Sequence, residues 1–571
     1  MSLMPSPAFP TSEQIAASAM KLLVENPLFK VGSATIRGND YRVFENAPPN
    51  LVGIFAYGSS HGDKEFLFYE GRSWTFNEVW SEARRFANAL SGGLGVTQGD
   101  RIAIAMRNFP EWITSYMAVI SLGAVVVPLN AWWKTEELRY ALQDCESKIV
   151  IVDAKRLEML APVKNSLGLT FILAGEDGQG ADHTYDGLMA MSHSDELPIV
   201  AIDPDDDFAI YYTSGSTGNP KGVILTHRGA ITTLLSWAFI ASAIKDARGG
   251  ASLFGDNPGI LLAVPLFHVT GSHSIFMLSW MVGRRLAIMR KWDPKLAVDT
   301  INAQKLTNFV GVPSQSYELI EAAGEMGLPS LIDIGSGGAK RPPEHVRKLK
   351  EKFAHANPSS GYGLSETNAL GCVISLDDYQ KRPDSTGRTV PPCCDIKIVG
   401  ENGDAKTGEV GEVWIRTAAN FRGYLNMPEE TARALTPDGW FKSGDLGCLD
   451  EEGFLYIVDR LKDLIIRGGE NISCLEVEAR AYQHLSVAQA AAFSVPDETL
   501  GERVGLVVFP QAGEPFDPKA LRDFMARELA EFKCPERIWV SPGPLPKLGT
   551  EKYDKRTVRM IALQHPPAWS R

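Results

Sequence analysis

The sequence predicts an α/β protein made of several units. Residues 51–175 and 208–354 both alternate short β-branched runs with helical patterns, a rhythm typical of parallel sheets covered by helices. Between about residues 385 and 458 the pattern changes to short strands with turns, which predicts a β-rich subdomain. A charged break at 459–463 then precedes about 110 residues of a compact α/β pattern. We therefore expect a large N-terminal domain over residues 1–459 and a small α+β C-terminal domain over residues 460–571.

Local signals place the individual elements. Thr75 is a candidate N-cap for a helix that runs to about Leu90, with Glu78 as its capping-box partner. Thr226 can cap a helix near Arg228, and Asp517 can cap a helix with proline in its first turn. The remaining predicted elements, in chain order, are helix 12–25, strand 101–106, helix 111–122, strands 148–152 and 260–264, helix 297–304, strand 308–312, helix 315–323, strand 331–335, helix 341–354, strands 395–399, 411–416, 454–458 and 504–509, and helix 518–530.

One uncharged stretch needs separate interpretation. Residues 112–131 carry no charge and are long enough for a membrane span. Gly123 and the Val-Val-Val-Pro run at 125–128 interrupt the stretch, because glycine and proline end helices and β-branched residues favour strands. We therefore predict a buried helix–strand unit here and no transmembrane segment.

Composition and charge narrow the class of protein. The chain has 571 residues, of which 44% are hydrophobic and 22% charged, and its formal net charge is −12. Such a chain can form large cores, and it lacks the basic footprint of a nucleic-acid-binding protein. Its seven cysteines form no CxxC pair and no metal-ligand spacing with histidine, and the N-terminus lacks a signal-peptide pattern. We expect a reduced, cytoplasmic protein.

Residues 212–222, which read YTSGSTGNPKG, lie between two apolar runs typical of strands. Glycines let the backbone approach a ligand, hydroxyl groups donate hydrogen bonds, and Lys221 adds a point charge. A Walker loop would instead end in Gly-Lys-Ser/Thr and run into a helix. Flexible linkers have a similar composition, but the flanking strands and the Pro-Lys-Gly ending favour a polyphosphate-binding loop.

Further motifs follow this loop. They read PLFHVTG at 265–271, SGGA at 336–339, GYGLSET at 361–367, FKSGD at 441–445, DRLK at 459–462 and PKLGTEK at 546–552. In this order they resemble the motifs of the adenylate-forming superfamily, specifically its acyl-CoA synthetase (AMP-dependent acid–CoA ligase) branch, over roughly residues 50–560. The resemblance implies two α/β sheets and a β-rich subdomain in the large domain, and a small C-terminal domain that moves about a hinge at Lys462.

The resemblance also implies a nucleotide site. Tyr362 lies between glycines and suits stacking on a purine, Asp445 is a suitable acceptor for ribose hydroxyls, and Glu366 is a suitable Mg²⁺ ligand. Ser365 stands where the family usually has threonine, so the hydroxyl group is retained. The implied nucleotide-binding residues are Thr213, Ser214, Gly215, Ser216, Thr217, Gly218, Lys221, Gly338, Ala339, Lys340, Gly361, Tyr362, Gly363, Ser365, Glu366, Thr367, Asp445, Ile457, Arg460 and Lys552.

Catalytic roles are implied for Lys552, Glu366, His268, Thr213 and Lys221. His268 falls where the family gates the acyl pocket, and Trp237 and residues 310–312 are candidate pocket walls. The implied residues for the acyl group and coenzyme A are His268, Gly311, Gly335, Arg467, Gly468 and Gly469.

The residue before Lys552 departs from the family pattern. The family usually has glycine at this position, and this chain has Glu551. The adjacent carboxylate could form an ion pair with Lys552 and hold the ammonium away from the substrate.

The reaction implied by the resemblance is ATP-dependent synthesis of an acyl-CoA. A carboxylic acid and ATP give an acyl-adenylate and pyrophosphate, and coenzyme A then displaces AMP. A fatty or other hydrophobic acid is favoured as the substrate, because the residue after Phe267 is His268 and no acidic residue is nearby to bind an amino acid's ammonium.

Other functions remain open from the sequence. They are an aromatic-acid CoA ligase, an adenylating enzyme with another acceptor such as a carrier protein, luciferase-like oxidation, and a catalytically inactive nucleotide- or acyl-binding protein. A carrier-protein acceptor is less favoured, because no carrier domain is attached to the chain. The expected partners are the acid, ATP, Mg²⁺ and coenzyme A, and the resemblance also allows a homodimer.

Overall fold

The structure, a computed structural model, describes residues 9–192, 194–213 and 219–571. The strands in chain order are β1 Val31–Ile36, β2 Asn39–Phe44, β3 Glu65–Tyr69, β4 Arg72–Thr75, β5 Arg101–Ala105, β6 Val125–Pro128, β7 Ile149–Val152, β8 Thr170–Leu173, β9 His183–Thr184, β10 Asp207–Thr213, β11 Lys221–Thr226, β12 Gly259–Leu262, β13 Arg285–Ile288, β14 Asn308–Gly311, β15 Asp333–Ser336, β16 Asn357–Gly363, β17 Gly371–Ile374, β18 Arg388–Thr389, β19 Cys394–Gly400, β20 Gly403–Asp404, β21 Gly411–Thr417, β22 Gly423–Tyr424, β23 Phe441–Leu449, β24 Leu455–Arg460, β25 Ile465–Arg467, β26 Glu470–Ile472, β27 Val487–Asp497, β28 Gly501–Pro510, β29 Arg537–Val540 and β30 Trp569–Ser570.

The α-helices are α1 Ser12–Glu25, α2 Leu51–Ser59, α3 Phe76–Leu94, α4 Pro110–Ser121, α5 Thr135–Cys145, α6 Ala154–Leu160, α7 Lys164–Leu167, α8 Tyr185–Met191, α9 His227–Ala247, α10 Leu278–Val282, α11 Pro294–Gln304, α12 Pro313–Ala323, α13 Pro343–Lys352, α14 Leu376–Lys381, α15 Pro428–Ala434, α16 Cys474–Ala481, α17 Pro518–Met525 and α18 Lys555–Leu563. A π-helix spans Thr270–Met277, and 3₁₀ turns span Pro27–Phe29, Ala161–Val163, Ser365–Thr367 and Glu531–Lys533.

The first large sheet has the strand order β22-β11-β10-β6-β5-β7-β8-β9. Its strands run parallel from β10 to β9, and β11 and β22 add antiparallel pairs at one edge. Helix α3 begins at the predicted cap, where Thr75 and Glu78 form a capping box. The uncharged stretch 112–131 is helix α4 followed by strand β6, and both are buried throughout apart from Glu111. The sequence prediction of a buried helix–strand unit is therefore confirmed.

The second large sheet has the order β18-β17-β16-β15-β14-β12-β13-β3-β4, and β16, β15, β14, β12, β13 and β3 run parallel. Val310 packs into a core shared with α3, α4, α9 and the π-helix, whereas Phe309 packs on the opposite face with α11 and α12. The carboxyl ends of β14, β15 and β16 lie side by side, which is where open α/β sheets bind ligands.

An antiparallel sheet of β20, β19, β21, β23 and β24 forms the β-rich subdomain, as the sequence predicts. A mixed sheet follows, in which β25, β27 and β29 all pair with β28. Strand β24 ends at Arg460 and β25 begins at Ile465, so the predicted boundary at 459/460 falls at the end of a strand.

Some elements differ from the sequence prediction. The N-terminal segment contains a hairpin of β1 and β2 in addition to the predicted helix 12–25. The helix predicted over 518–530 is shorter in the structure: it ends at Met525, and Ala526 is its C-cap. The segment before β10, for which the sequence analysis predicted no helix or strand, contains α8.

Helix α9 is long and apolar enough to cross a membrane by length and composition. More than half of its apolar window is buried in protein, and its side chains contribute to the core beneath both large sheets. This packing is that of a core helix.

A chain of buried polar side chains crosses the space between the two large sheets. Tyr211 donates a hydrogen bond to Ser272 (2.7 Å), and Ser272 Oγ lies 2.9 Å from His273 Nδ1. His273 Nε2 lies 3.1 Å from Asn368 Oδ1, and the Asn368 amide donates to the Ala419 carbonyl (2.7 Å). Burial lowers the pKa of His273 to about 3, so the ring is neutral at physiological pH. The chain links the π-helix to the loop that follows GYGLSET.

We predict that His273→Phe lowers stability by about 1–3 kcal/mol, because the buried Asn368 oxygen loses its donor. The measurement is the midpoint of urea unfolding. His565→Phe is the control, since His565 is exposed and surface substitutions typically change stability by less than about 0.5 kcal/mol. Equal shifts of the midpoint in both variants would show that the polar chain contributes nothing.

Candidate active site

Asp445 lies on β23, and its carboxylate is held by side chains of β16 and β24. It is 4% exposed, the Tyr362 hydroxyl donates to its Oδ2 (2.8 Å), and Arg460 Nε lies 3.2 Å from its Oδ1. Burial raises the pKa of Asp445, and Arg460 opposes that shift. Lys340 donates to the Ile457 carbonyl at 2.8 Å and thereby joins the strand end at 336–340 to the same corner. The structure thus brings these five predicted nucleotide residues together.

Lys552 reaches this corner from the C-terminal domain. A carbon atom added at the Cβ position of Gly338 would lie 3.1 Å from Lys552 Cε and 3.4 Å from Nζ, so a larger residue at Gly338 would displace the lysine. Gly338 also has φ +77°, a conformation that favours glycine. Burial and, to a lesser extent, the Arg460 charge lower the pKa of Lys552 to about 8, and Asp445 opposes the change.

His268 lies close enough to Lys552 for the lysine charge to act on its ring. Its Nδ1 accepts a hydrogen bond from the Thr270 backbone N–H (3.3 Å) and lies 3.2 Å from Thr270 Oγ1, so in the neutral ring the proton is on Nε2. Burial lowers the pKa of His268 to about 3, and the Lys552 charge acts in the same direction. The predicted acyl-side residue and the predicted adenylation lysine are therefore neighbours.

Gly361 and Gly335 lie on the same face of the second large sheet, on the neighbouring strands β16 and β15. A Cβ added to Gly361 would lie 3.7 Å from the Trp237 ring, and one added to Gly335 would lie 2.8 Å from Val310 Cγ2. The Trp237 indole N–H is buried without a hydrogen-bond partner among the described residues. Gly311 is close-packed against Gln315 and Phe309 at the start of α12.

Glu366 and Lys221 are connected through Tyr424. The Tyr424 hydroxyl donates to Glu366 Oε1 (2.8 Å), and Lys221 Nζ lies 5.1 Å from the centre of the Tyr424 ring. Burial raises the pKa of Glu366. Lys221 also forms an ion pair with Glu430 (2.6 Å). Tyr424 and Glu430 were missed in the sequence analysis, because they lie far along the chain from the residues they contact and belong to no motif.

The predicted phosphate loop is only partly described. Thr213 and Lys221 are register partners at the ends of β10 and β11, so the loop connects two antiparallel strands and does not lead into a helix. Ser214, Gly215, Ser216, Thr217 and Gly218 lie outside the described residues.

The other predicted nucleotide residues are found along β16 and next to it. Gly363 ends β16, and its backbone packs so tightly on Ala369 that a Cβ would lie 2.6 Å away. Ser365, Glu366 and Thr367 form a 3₁₀ turn, whose Thr367 hydroxyl is bonded within the turn. Ala339 is exposed next to Gly338.

The residues predicted for the second half-reaction are not part of this cluster. Arg467 is paired with Glu536 (2.8 Å), the Gly468 N–H donates to Leu500, and Gly469 is exposed with open space around its Cα. These contacts lie within the C-terminal domain. Lys462 is exposed between β24 and β25.

Glu551 does not pair with Lys552, so that expectation is wrong. Its backbone is left-handed (φ +63°), and its carboxylate lies 3.5 Å from Lys547 Nζ. This conformation turns the Glu551 side chain to Lys547 and leaves Lys552 over Gly338.

Comparison with known proteins agrees with this geometry. The family model of the AMP-binding enzymes matches residues 55–425, and the model of their C-terminal domain matches residues 476–552. A long-chain-fatty-acid–CoA ligase of Bacillus subtilis (strain 168) is 32% identical over 86% of this chain and 91% of its own length. A 4-coumarate–CoA ligase of Solanum tuberosum is 30% identical over 82% of this chain and 85% of its own.

Among solved structures, the o-succinylbenzoate CoA synthetase of Bacillus subtilis is similar both in complex with its acyl-adenylate and in complex with ATP and a magnesium ion. Each has a TM-score of 0.76 and 26% identity over 90% of this chain, covering 98% and 100% of the respective structures. The family models match most of the chain, and the relatives align with it over most of their own length. This chain therefore belongs to the AMP-binding enzyme family, within its AMP-forming acid–CoA ligases.

Proposed function

We propose that the enzyme activates a hydrophobic carboxylic acid as its acyl-adenylate at the junction of Lys552, His268 and Asp445. The observation that carries the proposal is the position of Lys552, which packs over Gly338 and interacts electrostatically with both Asp445 and His268. The acid oxygen would attack the α-phosphate of ATP, and pyrophosphate would leave. The thiol of coenzyme A would then attack the acyl carbon, and AMP would leave.

Each residue would supply a distinct part of this chemistry. Asp445, fixed by Tyr362 and Arg460, would accept hydrogen bonds from the ribose hydroxyls. The Lys552 ammonium would stabilise the negative charge that develops on the phosphate oxygens in the adenylation transition state. His268, which is neutral, would border the acid without adding charge, so the carboxylate keeps its nucleophilic lone pair.

The acid itself is proposed to be fatty or aromatic. Trp237 packs against Gly361 of β16, next to Gly335 of β15, and this apolar surface suits a hydrophobic group. Relatives include both a long-chain-fatty-acid ligase and a 4-coumarate ligase. Pyrophosphate release with matched panels of straight-chain and cinnamic-type acids would distinguish these two substrate classes.

Magnesium fits the donor chemistry of Glu366. No group of three or more His, Cys, Asp or Glu side chains forms a metal cluster in the described part of the chain. Mg²⁺ bound to nucleotides typically uses one or two carboxylates with phosphate oxygens and water, so a single buried carboxylate is a suitable protein ligand. When bound, the ion would neutralise phosphate charge.

The C-terminal domain is proposed to present two surfaces in turn. In this structure Lys552 occupies the site, while the 467–469 loop is exposed. Rotation about Lys462 would replace Lys552 with this loop for thioester formation, and the open space at Gly469 would admit the pantetheine arm. We also propose a cytoplasmic location, which agrees with seven free cysteines, six of them buried.

Lys552→Ala should lower acyl-adenylate formation by about 10²–10³, which is the typical effect of losing one preorganised donor. The same variant should convert supplied acyl-adenylate and coenzyme A at nearly the wild-type rate. Gly469→Leu should do the reverse. The measurement is single-turnover kinetics of each half-reaction. Equal slowing of both halves by Lys552→Ala would favour one fixed site, and no slowing of either would remove Lys552 from the mechanism.

The pKa of Lys552 predicts an alkaline limit for adenylation. The ammonium is the active form, so kcat/KM for ATP should be highest below pH 8 and fall as the pH rises through about 8. The Lys552→Arg variant should have a lower kcat/KM, but this value should not fall as the pH rises through about 8, since a guanidinium stays protonated. An unchanged alkaline limb in Lys552→Arg would assign it to another group.

Glu366→Gln should raise the Mg²⁺ concentration needed for pyrophosphate release, because a neutral amide holds the cation less well than a carboxylate. The measurement is initial rate against Mg²⁺ at saturating ATP. Glu412→Gln is the control, because Glu412 is a carboxylate on β21 of the antiparallel subdomain that accepts hydrogen bonds from a tryptophan and a backbone N–H. Identical Mg²⁺ dependence in wild type and Glu366→Gln would contradict the metal role.

A further inference from the structure

A cluster of charged side chains joins the Lys552 loop to helix α12 of the N-terminal domain. Lys547 Nζ lies 2.6 Å from Glu318 Oε1 and 3.5 Å from Glu551 Oε2. The other Glu318 oxygen accepts a hydrogen bond from the Trp292 indole (2.6 Å). The Lys547, Glu318 and Glu551 side chains are only 20%, 27% and 14% exposed, so solvent screens their attraction less than that of a surface pair.

The loop itself is a tight hairpin that moves as one unit. Leu548 N–H donates to the Lys552 carbonyl (2.7 Å), Glu551 N–H donates to the Leu548 carbonyl (2.9 Å), and Lys547 pairs with Tyr553 as an isolated bridge. Fixing Lys547 therefore fixes Lys552 at the other side of the turn.

Helix α12 contacts both the loop that carries Lys552 and the residue beneath Lys552. Its N-cap, Val312, lies beside Gly338, the residue beneath Lys552. Ser314 Oγ donates to the Glu551 carbonyl (3.1 Å), and Glu318 lies about one turn further along the same face. One rigid element thus contacts both the floor under the lysine and the loop that carries it.

The loop is also fitted closely to the N-terminal domain at Gly549. A Cβ at this position would lie 2.4 Å from Trp132 Cδ1, a distance that no side chain could adopt without movement. The ion pairs and this contact act on the same short segment.

We propose that Glu318, Lys547 and Glu551 are positioning residues for adenylation: their ion-pair cluster places the Lys552 ammonium over the nucleotide site and is absent from the arrangement used for thioester formation. The proposal rests on the proposed function. Glu551, which stands where the family usually has glycine, adds a second carboxylate to the cluster.

Removing the lysine tests the proposal. Lys547→Met should slow acyl-adenylate formation about 10- to 100-fold through kcat, because a displacement near 1 Å can cost that much. Conversion of supplied acyl-adenylate to thioester should stay within about twofold of wild type. Lys547→Arg keeps the charge and should recover most of the adenylation rate.

The matched control is Lys533→Met. Lys533 also forms an ion pair, with Glu476 at 2.8 Å, but this pair is exposed and both residues lie within the C-terminal domain. This variant should leave both half-reactions unchanged. Glu318→Gln should also slow adenylation, and the double variant should be no slower than Lys547→Met alone, because Glu318→Gln removes one of the contacts that Lys547→Met removes.

The outcomes separate the two hypotheses. A wild-type enzyme that makes no acyl-adenylate from any acid in the panel would overturn the proposed function. An active wild type, with Lys547→Met unchanged or equally slowed in both half-reactions, would overturn only the positioning role. Additive effects of Glu318→Gln and Lys547→Met would also overturn it, since independent losses do not come from one contact.

Discussion

The placement of one ammonium group constrains the whole site. Lys552 is partly withdrawn from water, which disfavours its charged form and lowers its pKa to about 8. Asp445 compensates in part, while Arg460 acts against it, so the balance depends on the carboxylate that also binds Tyr362. Beside it His268 has a pKa of about 3 and adds no competing positive charge. The lysine therefore keeps its proton near neutrality without a dedicated ion-pair partner, and its charge remains available for phosphate.

The rest of the site consists of residues at the ends of strands in the N-terminal domain. The parallel strands β14, β15 and β16 place Gly338 and Gly361 at one edge, and the antiparallel subdomain adds Asp445 and Arg460 from β23 and β24. Neither part contains an ammonium at the position of Lys552. In this arrangement the C-terminal domain contacts α12 and supplies Lys552 to the site. The buried polar chain through His273 keeps the π-helix aligned with the Glu366 loop within the N-terminal domain.

The sequence predicted local features well and distant contacts poorly. Helix α1 and the Thr75 cap depend on signals within a few residues, and both were found as predicted. The pairing of Lys221 with Glu430 spans 209 residues, and no periodicity encodes it. The π-helix at Thr270–Met277 could not be predicted either, because its wider turn depends on packing against α9 and on the Ser272 hydrogen bonds. Motif residues were located because the family resemblance carried tertiary information that propensity does not.

Glu551 departs from the family pattern, which usually has glycine at this position, and its tertiary contacts explain why a glutamate is tolerated there. A left-handed backbone costs a non-glycine residue about 1–2 kcal/mol, so a glutamate at φ +63° needs compensation. The Glu551 carbonyl accepts from Ser314 and its carboxylate faces Lys547, which in turn binds Glu318 across the domain boundary. The Ser314 hydrogen bond and the Lys547–Glu318 ion pair cross the domain boundary, whereas Glu551 and Lys547 lie in the same loop. Under the proposed domain rotation, only the two contacts across the boundary would be lost. Their loss would favour the domain position in which Lys552 lies over Gly338.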